Sequence, residues 1–134
     1  MSESHEPVDQ AWDEVGRASY VLFTSYRKSG TPVPTPVWIA PDHDDLYFFS
    51  DTDAFKVKRI RNNPAVTLQP CDVRGRVTAG APLVTGRAEV LDHADSPRVR
   101  RIVNRKYRVL GTLGTVLSRL RRSEASIGIR IQKA

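Results

Sequence analysis

From Pro32 to Pro36 every second residue is a proline, and the run PVPTP continues into Val37-Trp38-Ile39-Ala40. Each proline removes a backbone donor from a β-ladder, so this segment cannot sit in the middle of a fully paired sheet. An edge or bulged strand is the reading that survives, with Val37 to Ala40 entering the sheet properly. Any fold proposed for the chain must supply such an edge.

The segments on either side supply strands. Tyr20 to Tyr26 (YVLFTSY) is rich in aromatic and β-branched residues, and Lys28-Ser29-Gly30-Thr31 is a turn in which Gly30 allows a positive φ. Pro41-Asp42-His43-Asp44-Asp45 is a second turn, followed by a strand from Leu46 to Ser50. Three carboxylates around a histidine have metal-ligand chemistry, but their place between two strand signals reads as a hairpin loop. Further strands are expected over Ala65 to Val73, bent near Pro70, and over Leu83 to Leu91, where Gly86 marks a bulge or a close-packing point. Ser126 to Gln132 (SIGIRIQ) alternates cleanly and is the closing strand.

Helical signals are shorter. Trp12 and Val15 are spaced for a short helix over Ala11 to Ala18. Asp51, Thr52 and Asp53 are good N-cap residues for a helix from Asp53 to Asn62 with Ala54, Val57 and Ile60 on its apolar side, ended by Asn63-Pro64. Asp95 or Ser96 caps another that starts at Pro97 and carries Val99, Ile102, Val103 and Tyr107 on one face. Val109 to Arg122 gives no clear periodicity. About six closely spaced strands with short helices between them predict a mainly β domain, a small closed or nearly closed antiparallel barrel with helices packed outside. Residues 11–134 are expected to form this one domain, after a flexible tail at residues 1–10. A chain of 134 residues has room for one moderate core.

The tail MSESHEPVDQ lacks the basic start and apolar stretch of a secretory signal, and no apolar run approaches the roughly 20 residues that span a bilayer. A cytoplasmic protein with no membrane partner is expected. Cys71 is the only cysteine, which excludes an internal disulfide and reads as a small buried side chain. The 21 Lys and Arg against 15 Asp and Glu favour anionic partners without choosing among nucleic acid, phosphorylated cofactors and acidic lipid. Nucleic acid fits poorly, because the Arg98 to Arg108 stripe and Arg119-Leu120-Arg121-Arg122 lack interleaved aromatics.

The cations that demand an explanation are Lys56, Lys58, Arg59 and Arg61, which follow the apolar run YFFS directly. A helix start carries unpaired N–H groups and partial positive charge, so it suits a phosphate, and Ser50 and Thr52 add hydroxyls there. Lys56 and Arg59 share one flank and Lys58 lies on the other, so the four cannot serve a single anion. Asp51 and Asp53 compete for the same dipole. Pattern alone leaves both a phosphate site and a solvated cationic face open.

The set TSYRKSGTPVPTPVWIA (Thr24 to Ala40), YFFSDTDAFKVKRIRNNPAVTLQPCDVRGR (Tyr47 to Arg76) and VTGRAEVL (Val84 to Leu91) resembles the flavin-binding split β-barrel superfamily, related to pyridoxamine 5'-phosphate oxidase. Within it the chain looks most like the branch of oxidoreductases that use the deazaflavin coenzyme F-420. The resemblance implies a homodimer with cofactor sites at the subunit interface. It implies that Pro36, Val37 and Trp38 run along the edge of a tricyclic ring. Ser50 and Lys56, with Thr52, Lys58 and Arg59, would hold the phosphate. Arg74 and Arg76, in a loop able to reach the partner's cofactor, would meet the acidic tail of F-420. Two departures point away from vitamin B6 oxidation and tight FMN binding. Ala54-Phe55-Lys56 replaces a Ser-Arg-Lys run, and no Trp- and Arg-bearing segment follows Lys133. The expected function is hydride transfer from reduced F-420 to a small unsaturated or quinone-like substrate, with no side chain assigned as catalytic. An FMN- or haem-binding barrel and a non-enzymatic F-420 carrier are the alternatives.

Overall fold

The computed structural model of the chain describes residues 6–51, 54–109 and 126–134. Its elements run α1 (Glu6–Arg17), β1 (Tyr20–Tyr26), β2 (Pro32–Val37), β3 (Ala40–Asp42), β4 (Asp45–Asp51), α2 (Phe55–Asn62), β5 (Ala65–Cys71), β6 (Val84–Val90), a single 3-10 turn (His93–Asp95), α3 (Ser96–Val109) and β7 (Ser126–Lys133). The strands form one antiparallel sheet in the order β2-β1-β5-β6-β7-β4-β3.

The prolines explain one end of that order. Alternate residues of a strand aim their N–H groups to the same side, so Pro32, Pro34 and Pro36 turn their bare nitrogens outward while Val33, Thr35 and Val37 face β1. β2 is therefore an edge that offers few donors to another strand. The opposite edge, β3, is only three residues long.

Connectivity then bends the sheet. Flat, its two edges would stand six strand spacings apart, about 29 Å. Yet β2 and β3 are joined through Trp38 and Ile39 alone, and three Cα steps reach at most about 11 Å. The sheet has to curl until its edges nearly meet, which makes a barrel split along the β2–β3 gap.

Inside lies the main core. Val21 and Phe23 of β1, Val37, Ile39, Leu46 and Phe48, Val66 and Leu68, and Ile127, Ile129 and Ile131 of β7 are buried together. Trp12 and Val15 of α1 and Val57 and Ile60 of α2 join the same cluster. The outer faces of β3 and β4 build a second cluster against α3, in which Ala40 and Tyr47 meet Val99, Ile102, Val103 and Tyr107. Gly86 is a close-packing point, since a Cβ there would come within 2.7 Å of Ile131 Cγ2 and 3.0 Å of the Gln132 carbonyl oxygen.

Several expectations need correction. The mainly β antiparallel fold is as expected, its strands numbering seven; the corrections concern boundaries. α1 begins at Glu6, so residues expected in the tail are helical. β2 stops at Val37, because the chain must leave one edge there to reach the other; Val37 to Ala40 does not continue a single strand. The turn expected over Pro41 to Asp45 contracts to His43-Asp44 between paired Asp42 and Asp45, with His43 at φ 55°. α2 starts at Phe55 with Ala54 as its N-cap, not at Asp53 behind an acidic cap. Most of the Val109 to Arg122 stretch lies outside the described residues. Among the described residues no helix is long and apolar enough to cross a membrane.

Candidate functional site

The β4–α2 corner is where strand alternation and a helix start coincide. β4 sends Leu46 and Phe48 inward, and Ser50, next in that row, is buried with its hydroxyl donating to the Asp51 carbonyl at 3.3 Å. After the corner, Ala54 caps α2 in an extended conformation with no side-chain hydrogen bond, and the first turn holds no carboxylate. An alanine cap supplies no side-chain acceptor of its own to the helix's leading N–H groups. The helix start carries partial positive charge with no carboxylate within its first turn, although Asp51 lies just before it.

The four cations separate once the helix is built. Lys56 is half-buried on the first turn. Lys58 is exposed and lies 5.4 Å over the ring of Phe55, itself 74% exposed. Arg59 turns back to the barrel, its Nε donating to Ser25 Oγ at 2.7 Å. Burial, and then the nearby Arg27, pull the Arg59 guanidinium below its ordinary pKa. Arg61 sits exposed in the last turn. So Ser50 and Lys56 share the corner, Lys58 faces solvent, and Arg59 is anchored to β1. Thr52 lies outside the described residues.

The ring-edge residues divide as well. Val37 points into the core and Pro36 is exposed. Trp38 faces the other way, 6.1 Å from the ring of Tyr20 and 6.1 Å from that of Tyr107. Beside Pro36 stands the Arg74 to Arg76 loop. Asp72 ties it, accepting at Oδ1 from the Arg74 and Arg76 backbone N–H groups and at Oδ2 from Arg76 Nε. Gly75, at φ 85°, lies against this edge, where a Cβ would make ordinary contact at 3.4 Å from Leu22 and 3.7 Å from Pro36. The structure thus brings Arg74 and Arg76 to Pro36 within one chain. Trp38 goes instead with α3.

Lys106 and Tyr107 were not singled out as a pair by the sequence reading. Lys106 Nζ donates to the carbonyls of Ala18 and Ile39. The Tyr107 hydroxyl bridges Ser19 O at 2.8 Å and Ile39 O at 3.0 Å. Both therefore fasten α3 to the α1–β1 junction and to the β2–β3 crossover. Burial lowers the Lys106 amine to about pKa 8 and pushes the Tyr107 phenol well above its usual range. A signal was available: Val99, Ile102, Val103 and Lys106 follow the i, i+3, i+4, i+7 spacing of a buried stripe, so a lysine there needs buried acceptors. Tyr47 is similarly engaged, its oxygen accepting from Arg98 Nη2 at 3.1 Å. Cys71 is buried, and its thiol is pushed up by burial and by Asp72.

Comparison with known proteins agrees with this architecture. The fold resembles an FAD-binding protein of Mesorhizobium loti at 19% identity and TM-score 0.63, covering 92% of this chain and 85% of that one. It resembles the haem storage protein HutZ of Vibrio cholerae at 12% identity and TM-score 0.63, covering 96% and 89%. An F420 reductase is similar at 18% identity and TM-score 0.55, covering 92% and 93%. At such identities the likeness shows the fold alone. No curated protein matches the sequence. The profile of one family does match, over residues 8–133, and that span takes in the corner, the crossover and the closing strand: the chain belongs to the pyridoxamine 5'-phosphate oxidase family.

Proposed function

We propose that the protein is a cytoplasmic, homodimeric oxidoreductase that takes hydride from reduced coenzyme F-420 and gives it to a small unsaturated or quinone-like substrate. The observation that carries this reading is the α2 start, capped by Ala54 without a side-chain bond and free of carboxylates in its first turn. With the buried Ser50 hydroxyl and half-buried Lys56 beside it, it fits the phosphoryl group of such a cofactor. The similarity to an F420 reductase supports the choice of deazaflavin, as does the loss of the Ser-Arg-Lys run at Ala54-Phe55-Lys56.

When bound, the reduced deazaflavin supplies the hydride, so the chain's task is holding, orienting and drying. Ser50 and Lys56 would fix the phosphoryl end. Pro36 and the backbone at Val37 and Trp38 would set the plane of the ring. Arg74 and Arg76, exposed on the loop beside Pro36, would meet the acidic tail across the interface. The hydroxyls of Tyr47 and Tyr107 are held by structural partners, so neither is assigned a proton transfer.

Titrating the protein with F-420, with fluorescence and melting temperature as readouts, tests the reading. Saturable quenching that weakens about tenfold or more in Lys56→Gln is expected, since a charge-assisted phosphate contact is lost. Turnover of candidate acceptors with reduced cofactor separates a reductase from a carrier. Absence of binding, or purified protein that is yellow with flavin or red with haem, refutes it.

A further inference from the structure

A second basic site lies at the other end of α2. Pairing between β5 and β6 stops at Ala65 and Arg87; Ala88 N–H donates once more to the Pro64 carbonyl at 2.8 Å, and past that bond β6 continues with β7. The last turn of α2 fills part of the space that β5 vacates. What remains is an open concavity of about 450 Å³ walled by Ile60, Arg61, Arg87, Glu89, Arg130 and Gln132.

The sheet register explains why these side chains converge. Arg87 stands opposite Gln132 and Glu89 opposite Arg130, and residues two apart on a strand share a face. Three guanidiniums therefore border the hollow against one carboxylate. Arg130 Nη2 is bound to Glu89, while Arg61 and Arg87 make no ion pair among the described residues. The buried Nε of Arg130 has no acceptor among the described residues. Cations held together with too little opposing charge and a donor left unsatisfied describe a place lacking an acceptor-rich anion.

Arg87 also borders a second concavity of about 650 Å³, which crosses the β5–β6 face past Tyr26, Ala65, Thr67, Thr85 and Gly86. Its walls are largely apolar, with a tyrosine ring at one side. The two hollows meet at Arg87, one suited to charge and the other to an uncharged body.

We propose that this paired hollow binds a small molecule carrying a phosphoryl group, with the phosphoryl between Arg61, Arg87 and Arg130 and an apolar or aromatic body toward Tyr26. Planar guanidinium forks suit phosphoryl oxygens better than a point charge would. The site is separate from the α2 start. Lys56 and Arg61 are five residues apart, roughly 7.5 Å along the helix axis, and the proposal stands whether or not F-420 binds.

The test uses phenyl phosphate, inorganic phosphate and phenol as probes on the full chain at low salt, followed by calorimetry and amide NMR shifts. Phenyl phosphate is expected to bind saturably and more tightly than either fragment, with shifts at Thr85 to Val90. Arg61→Gln/Arg87→Gln is expected to weaken it about tenfold or more, Tyr26→Ala to erase its advantage over inorganic phosphate, and Arg101→Gln, an exposed cation on α3, to leave it unchanged. Unaltered binding in the arginine double variant, an equal loss of binding in Arg101→Gln, or no saturable binding at all overturns the proposal.

Discussion

Replacing Lys106 with methionine isolates the charge held at the split. The amine is buried under α3, with burial as the cause of its fall from the ordinary 10.5 to about 8. Between those two values the folded protein holds fewer protons here than the unfolded chain, so stability rises with pH across the window and is lost as pH falls toward 8. A displacement of this size corresponds to about 3 kcal/mol in full, of which about 2 kcal/mol falls between pH 7.5 and 10. Urea unfolding of wild type and Lys106→Met at several pH values in that range reads it directly. Groups common to both proteins, Tyr107 among them, cancel in the difference. Wild type is expected to gain about 2 kcal/mol on the variant from pH 7.5 to 10. A difference that stays flat with pH refutes the reasoning. A difference running the other way means that the Ala18 and Ile39 carbonyls favour the ammonium more than burial penalises it.

Tyr107→Phe strips the Ser19 and Ile39 carbonyls of a buried donor and is expected to cost about 1–3 kcal/mol in urea or thermal unfolding. Gly128→Ala would place a methyl 2.9 Å from Val99 Cγ2, pushing α3 off the sheet at about 1–3 kcal/mol; a melting temperature equal to wild type would contradict that contact. Pro34→Thr restores an outward N–H on edge strand β2, so light scattering should show greater concentration-dependent association with little change in melting temperature.

How much of this was legible beforehand varies by element. The proline alternation announced the edge because a missing donor is a local property; β1 announced itself by its aromatic and β-branched content, and β6 and β7 by alternation. The departure of Trp38 and Ile39 from the sheet was not legible. Nothing in WIA distinguishes a strand from a crossover until the strand order is known, and that order is set by pairings distant in sequence. The α2 cap failed for a related reason. Asp51, Thr52 and Asp53 are all competent caps, but β4 runs through Asp51 to pair with Ser126, and the helix starts only after the corner is turned. Ser25 carried an unused clue: in the inward row Val21, Phe23, Ser25 a hydroxyl needs a partner, and Arg59 provides it. The arginine hollow was invisible, since Arg61, Arg87 and Arg130 meet only through the β5–β6–β7 register.

One crossover links the fold to the candidate site. Two residues must carry the chain from edge to edge, and a backbone stretched over that gap cannot satisfy its own polar groups through a ladder. Ile39 O is bound from outside by Lys106 and Tyr107; the lock on the barrel is thus a pair of side chains on α3, not strand pairing. Trp38 leans on the same Tyr107, so whatever lies along Pro36 to Trp38 rests on a segment whose position α3 determines. Loosening α3 should therefore shift Trp38 before it disturbs the corner at Ser50, whose strand is held by six paired positions to β7, and any contact of the proposed cofactor with Trp38 should weaken first.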